Sequence, residues 1–323
     1  MSQKLFDEAD RLEDAGETER ALDTWRQLAV SSPTRNVFLR LGGCAKGLGK
    51  IEEAEAAFQR ALVIGDRSGL ALMALGIIAL NRGDYETGEG YLRRSCAAGE
   101  DPARFTLFGV ALRNLGRRPE AEAAYREAIR LDPNYEEAYF NLGVVLRKDR
   151  PSEAQALFRK ALELDPDFAS AHRELGFLLS KRGDVSNAER HLRKSIELQP
   201  NDCRAHIYLG THLWSADTGS AIAEFRCAQQ IQPDWTVPLW SLGNIHELVL
   251  KDFDSAQAFF ESALRLDPDE SVILTSFGRL CKKRGAFDLA KHYLGRALHL
   301  DPENQKAREL LADMASGGVE RAD

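Results

Sequence analysis

One stretch constrains this chain more than any other. Residues 131–166 read LDPNYEEAYFNLGVVLRKDRPSEAQALFRKALELDP, two helical patterns between a pair of Leu-Asp-Pro triplets. Similar copies tile almost the whole molecule. Prolines recur at Pro133, Pro166, Pro200, Pro233, Pro268 and Pro302, in steps of 33 to 35 residues. An independent marker keeps the same period: Gly42, Gly76, Gly109, Gly143, Gly176, Gly210, Gly243 and Gly278. A glycine inside a helix costs about 1 kcal/mol relative to alanine. Eight of them forgo roughly 8 kcal/mol of propensity, so the slot must be required to be small. Close approach of a neighbouring helix is the simplest cause, and the first copy has Ala9 there. Helices of about 13 residues are marginal alone in water. Each pair must draw stability from its neighbours, which is the logic of a stacked helical solenoid.

The period divides residues 1–315 into one all-α array. Nine units fall at about 2–33, 34–67, 68–101, 102–134, 135–167, 168–201, 202–234, 235–269 and 270–303. Each reads as helix A, a short turn, helix B and a closing turn. A last helix at 303–315 places Ala307, Leu310, Leu311 and Met314 on one face, as the polar-backed cap of a solenoid end requires. Residues 316–323 are expected to be a disordered tail. Three places depart from the pattern. The second helix of the third unit carries Gly88 and Gly90, with Gly99 beyond, and no proline closes it on time, so a softer point is expected there. The A–B turns of the fifth unit (Lys148 to Pro151) and of the seventh are one residue short. That of the eighth, Val249 to Asp254, is one residue long.

A formal charge of −7 argues against generic binding to nucleic acid or to an anionic bilayer. No run approaches the roughly 18 apolar residues of a membrane span. The start, MSQKLFDEADRLEDAG, has no apolar signal core. Cys44, Cys96, Cys203, Cys227 and Cys281 are odd in number and form no CxxC pair, so buried free thiols in a reducing cytoplasm are expected. His172 and His206 share the slot four before the repeat glycine, a packing position. No HExxH or paired-cysteine spacing is present, and no cofactor is expected. Asp132, Asp165, Asp267 and Asp301 precede the closing prolines, where turn chemistry accounts for them. No nucleophile–base constellation stands out, and the chain reads as a non-enzyme.

Tyr139, Leu142-Gly143, Leu146, Ala154, Phe158, Ala161 and Pro166 carry a family pattern. The chain resembles tetratricopeptide (TPR) repeat proteins over about residues 2–315, nine tandem repeats in all. The resemblance implies a right-handed superhelix of antiparallel helix pairs whose concave groove is lined by the A helices. It also implies binding of peptides or proteins rather than chemistry.

Around helix A of the fifth repeat, Phe140, Val144, Arg147 and Lys148 form a stripe about 130° away from the packing face. The resemblance assigns that stripe to the groove. The equivalent positions are Arg173, Phe177 and Lys181 in the sixth repeat, and Arg204, Ile207, Thr211 and Trp214 in the seventh. The eighth offers Trp240, Asn244 and Glu247, and the ninth Arg279, Lys282 and Lys283. Aromatic and apolar residues interleaved with cations point to a peptide or protein partner with acidic and apolar side chains. Trp214 and Trp240 are the candidate anchors. The competing explanation for Arg147, Lys148, Lys181, Lys282 and Lys283 is that cations are favoured at helix C-termini. Two known subtypes fit poorly: no repeat holds the Lys and Asn of a carboxylate clamp together, and only Asn141 fills the position of an asparagine ladder. The leading expectation is a cytoplasmic interaction scaffold. The alternatives are a regulatory or substrate-recognition subunit of an enzyme on a separate chain, such as a glycosyltransferase, and a self-assembling array.

Overall fold

The computed structural model describes residues 2–316; of the tail expected at 316–323, Ser316 ends the last helix and 317–323 lie outside the described residues. The described residues are helices and turns, with no strand among them. They fall into two units, Met1–Pro166 and Asp167–Asp323.

The first unit holds α1 (Ser2–Asp14), α2 (Thr18–Ser31), α3 (Arg35–Gly47), α4 (Ile51–Ile64) and α5 (Leu70–Asn81). It continues with α6 (Tyr85–Ala97), α7 (Pro102–Asn114), α8 (Arg118–Leu131), α9 (Glu136–Leu146) and α10 (Pro151–Leu164). The second holds α11 (Ala169–Lys181), α12 (Val185–Leu198), α13 (Cys203–Leu213), α14 (Thr218–Ile231) and α15 (Thr236–Ile245). A π-helical turn, His246–Leu250, extends α15. Then come α16 (Phe253–Leu266), α17 (Ser271–Lys283), α18 (Phe287–Leu300) and α19 (Gln305–Ser316).

The repeat glycine explains the hairpins. A methyl group built on Gly143 would stand 2.6 Å from the Phe158 ring, and one on Gly243 would stand 2.6 Å from Phe260. The same clash recurs between Gly42 and Phe58, Gly76 and Leu92, Gly109 and Tyr125, Gly176 and Leu192, Gly210 and Phe225, and Gly278 and Leu294. A large side chain from helix B therefore sits flat on the bare backbone of helix A. Small residues bracket it on helix B, as Ala154 and Ala161 do around Phe158, and all three are fully buried. The propensity lost at each glycine is offset by burial of a whole aromatic or leucine side chain, worth about 1.5–3 kcal/mol.

Turn chemistry sets the hairpin ends. Most A–B turns place a glycine in the left-handed region, as at Gly116 (φ +76°) and Gly183 (φ +78°), where a Cβ would be strained. The two short turns dispense with that residue. The amides of Arg150 and Asp217 instead donate straight back to the carbonyls of Leu146 and Leu213, at 2.7 and 2.8 Å. The long turn of the eighth repeat takes up its extra residue as the π-helical turn, closed by Asp252 N–H on the His246 carbonyl at 2.9 Å. Lys251, at φ +58°, replaces the glycine there. At the closing turns Asp132, Asp267 and Asp301 accept from the amide two residues on, at 2.9–3.1 Å. These are Asx turns.

The third repeat, expected to be soft, has an unbroken α6 despite Gly88 and Gly90. The closing turns on either side of it lack the usual proline and are stitched by polar groups. Asp66 accepts from Ser68 N at 3.0 Å and from Ala71 N at 2.9 Å. The buried Arg104 guanidinium donates to the carbonyls of Ser95 and Ser68, at 3.1 and 2.7 Å. The cap helix begins at Gln305, two residues later than expected, with Ala307 fully buried on its inner face.

All five cysteines are free thiols. The expectation that they are buried holds for Cys44, Cys203 and Cys281. Cys96 is half-buried and Cys227 is exposed, because Cys227 lies on the outward face of α14.

Candidate functional site

In the first unit, Phe140 and Val144 are half-buried on α9, with the Phe140 ring 5.9 Å from Phe158. Arg147 caps the helix half-buried, and Lys148 is exposed beyond it. Phe140 thus belongs partly to the hairpin core, and the polar end of the stripe reaches water.

In the second unit the stripe has more aromatic surface. Phe177 on α11 stacks on Tyr208 of α13, with centroids 4.5 Å apart and planes inclined by 27°. The Lys181 ammonium stands 5.6 Å from the Phe177 ring centre, a cation–π distance. Trp214, just beyond α13, meets Phe225 edge-on at 6.1 Å. Trp240 on α15 donates from Nε1 to Ser276 Oγ at 2.9 Å. These four rings are all half-buried, with one part anchored and another open to solvent. Tyr208 was not among the residues marked by the sequence stripe. It lies two positions before Gly210, and only its stacking across to the preceding repeat brings it in.

Ile207 and Asn244 do not face outward, and neither does Glu247. Ile207 is 7% exposed and packs with the Leu209 and Leu213 core. Asn244 is 4% exposed: its Nδ2 donates to the Trp240 carbonyl at 3.0 Å, and its Oδ1 accepts from Arg279 at 2.6 Å. Both are wall residues, because the A-helix stripe is narrower than one position in four suggests. Thr211 remains exposed, with its hydroxyl turned back to the Ile207 carbonyl at 2.7 Å.

Four of the stripe's cations are paired internally. Arg173 bonds Glu174 at 3.3 Å and also pairs with Asp202. Glu247, fully buried, accepts from Arg279 at 2.7 and 2.9 Å and from Lys283 at 2.9 Å. Lys282 pairs with Asp313 of the cap helix. Arg204 and Lys181 are exposed, and among the described residues neither forms an ion pair. Arg204 and Arg173 flank an open cleft of about 770 Å³, whose wall includes Gln199, Asn201, Ile231 and Gln232.

His206 secures one side of that cleft. Its Nδ1 lies 2.6 Å from Glu224 Oε2 and its Nε2 lies 2.9 Å from the Pro200 carbonyl. Both neighbours are acceptors, so the ring donates from both nitrogens as an imidazolium. The Glu224 carboxylate raises its pKa above the usual value, against the opposing effect of burial. Its role is to tie the closing turn at Pro200 to α14.

Among the described residues, no cluster of His, Cys, Asp or Glu is arranged to hold a metal ion. No described helix is long and apolar enough to cross a membrane.

Models of the tetratricopeptide repeat match residues 6–68, 45–103, 145–209 and 250–314, and a TPR repeat model matches 109–149. No curated protein sequence matches the chain significantly. Among solved structures, the Cut9–Hcn1 hetero-tetramer of APC/C superposes with a TM-score of 0.65 at 18% identity. That alignment covers 91% of this chain and 58% of that one, so the chain spans little more than half of its length. A monomeric IFIT1 mutant with Gppp-AAAA also superposes at 0.65, with 15% identity over 97% of this chain and 81% of that one. PilF of Pseudomonas aeruginosa superposes at 0.56, with 19% identity over 66% and 97%. At these identities the likeness is one of fold. The repeat models together span most of the chain. The chain belongs to the tetratricopeptide repeat family.

Proposed function

We propose that the protein is a non-enzymatic interaction scaffold that binds a protein or peptide segment along the A-helix stripe of its second unit. The observation that carries this reading is the run of half-open aromatic rings on α11, α13 and α15: Phe177 against Tyr208, then Trp214, then Trp240. Rings held on one side and open on the other provide rigid apolar contact at little cost in conformational entropy, the property that places Trp and Tyr at binding hot spots. Lys181 and Arg204, the exposed cations beside them, favour a segment that alternates apolar and acidic side chains. The internally paired Arg173, Arg279, Lys282 and Lys283 shape the wall and contribute less to charge recognition.

A random peptide library displayed on phage and selected against the purified chain tests the reading. One class of selected peptides should bind at least about 10-fold more weakly to the Trp214→Ala/Trp240→Ala variant, provided its circular dichroism matches the parent. Unchanged affinity across all selected peptides would remove the aromatic run as the binding site.

A further inference from the structure

The eighth repeat carries a feature that the A-helix stripe does not use. Leu248, Val249 and Leu250, three consecutive apolar residues, are 39%, 41% and 47% exposed. The π-helical turn turns all three toward solvent. The other repeats place polar or small residues here. Five residues after the repeat glycine stand Asn81, Asn114, Lys148, Lys181, Ser215 and Lys283, where the eighth repeat has Leu248. Neither the inserted residue nor the choice of apolar side chains is needed to close the hairpin, since Gly243 and Phe260 make the same contact as Gly143 and Phe158 in the fifth repeat.

The turn is also held firmly. Glu247, within it, is fully buried and bound by Arg279 and Lys283. His246 Nδ1 lies 3.1 Å from Asp252 Oδ2, and the Asp252 amide closes the turn on the His246 carbonyl. Lys251, the only non-glycine residue at positive φ among the described residues, sends its ammonium back to the Leu248 carbonyl at 2.6 Å. π-Turns and left-handed non-glycine residues concentrate at functional sites, where neighbouring contacts hold them in place.

The rim carries an excess of positive charge. Lys283 and Arg279 share the single carboxylate of Glu247. Arg284 reaches the Phe253 carbonyl at 3.4 Å and pairs with Asp254 at 2.8 Å. Lys251 is exposed and, among the described residues, forms no ion pair. Three apolar side chains are too few to anchor a protein to a bilayer, and the chain's net charge of −7 opposes an anionic one. A protein segment fits better.

We propose that Leu248–Leu250 is a second docking surface, separate from the aromatic stripe, for a partner segment whose apolar side chains are flanked by Asp or Glu. The apolar triplet supplies the contact, and Lys251, exposed and outside any ion pair among the described residues, selects the charge. The buried Glu247 cluster prepays the ordering of the turn, which a flexible loop would have to meet on binding.

The displayed peptide library, selected against the full chain, separates this surface from the stripe. One class of peptides should combine apolar residues with Asp or Glu and bind about 10-fold more weakly to Leu248→Ser/Leu250→Ser, while binding Trp214→Ala/Trp240→Ala as well as the parent. Lys251→Asn, which tolerates the left-handed backbone, should weaken the same class about threefold and lose that effect at high salt. The Leu248→Ser/Leu250→Ser change touches exposed side chains, so circular dichroism should match the parent. The proposal is overturned if no peptide distinguishes that variant from the parent, or if the class that does is basic. It is equally overturned if the substitutions instead abolish a concentration-dependent dimer in sedimentation or flotation with phosphatidylserine-containing vesicles. Loss of only the tryptophan-dependent class would refute the stripe and leave this surface standing.

Discussion

In the fifth repeat the turn between the helices is one residue short, and in the eighth it is one residue long. The hairpins around them pack alike: Gly143 on Phe158 and Gly243 on Phe260 leave the same 2.6 Å for an added Cβ. The deletion passes almost unnoticed, since one direct bond from Arg150 N–H to the Leu146 carbonyl closes the turn. The insertion leaves a π-helical turn, a left-handed lysine, a buried glutamate with two cations and three exposed apolar residues. Length changes are thus confined to the turns while the clamp stays constant. A turn that lengthens has backbone and side chains to spare for another purpose.

The largest effect that could break this comparison lies at Glu247. Arg279→Met leaves a buried carboxylate with Lys283 alone, and should cost about 3 kcal/mol, the lower end for breaking a buried ion pair. The double change Glu247→Met/Arg279→Met should recover most of it, because replacing both partners by apolar groups is often near neutral. Urea unfolding reads both. An unmoved midpoint for Arg279→Met would mean that the cluster does not hold the turn.

A smaller loss is expected at the clamp. Gly143→Leu and Gly243→Leu should each destabilise by at least the roughly 1–3 kcal/mol typical of overpacking. Their effects on the melting temperature should agree if the two hairpins pack alike. A large difference between them would show that the longer turn lets the eighth hairpin yield.

The smallest effect is one of pH. All seven histidines follow residue 170, so histidine titration acts only on the second unit. Glu224 raises the pKa of His206 from its usual 6.5. The stabilisation from this contact is complete below pH 6.5 and fades as pH rises through the raised, folded-state pKa. His206→Gln should flatten that part of the stability–pH curve. An identical slope in the variant would assign the dependence to another group.

Much of the architecture is legible in residue order because its causes are local or strictly periodic. The 33- to 35-residue step, the small slot facing a large residue on helix B, the Asp-Pro turns and the places where turn length changes can all be read without coordinates. They depend on backbone sterics and on contacts at a fixed separation. The stripe itself is also periodic, and Phe177, Trp214 and Trp240 lie half-open as the pattern suggests.

What only the tertiary structure decided is how the side chains on that stripe are employed. Arg279 reaches back 32 residues to Glu247, Trp240 reaches forward 36 to Ser276, and Arg173 reaches 29 to Asp202. No local pattern encodes those pairings, so cations that look free in the sequence are committed, and Asn244 and Ile207 prove to be wall. The extra residue near Val249 was visible from the start. That it would be absorbed as a π-turn, exposing Leu248 to Leu250, depended on Glu247 finding two cations in the next repeat: a buried charge must be paired where the fold brings partners to it.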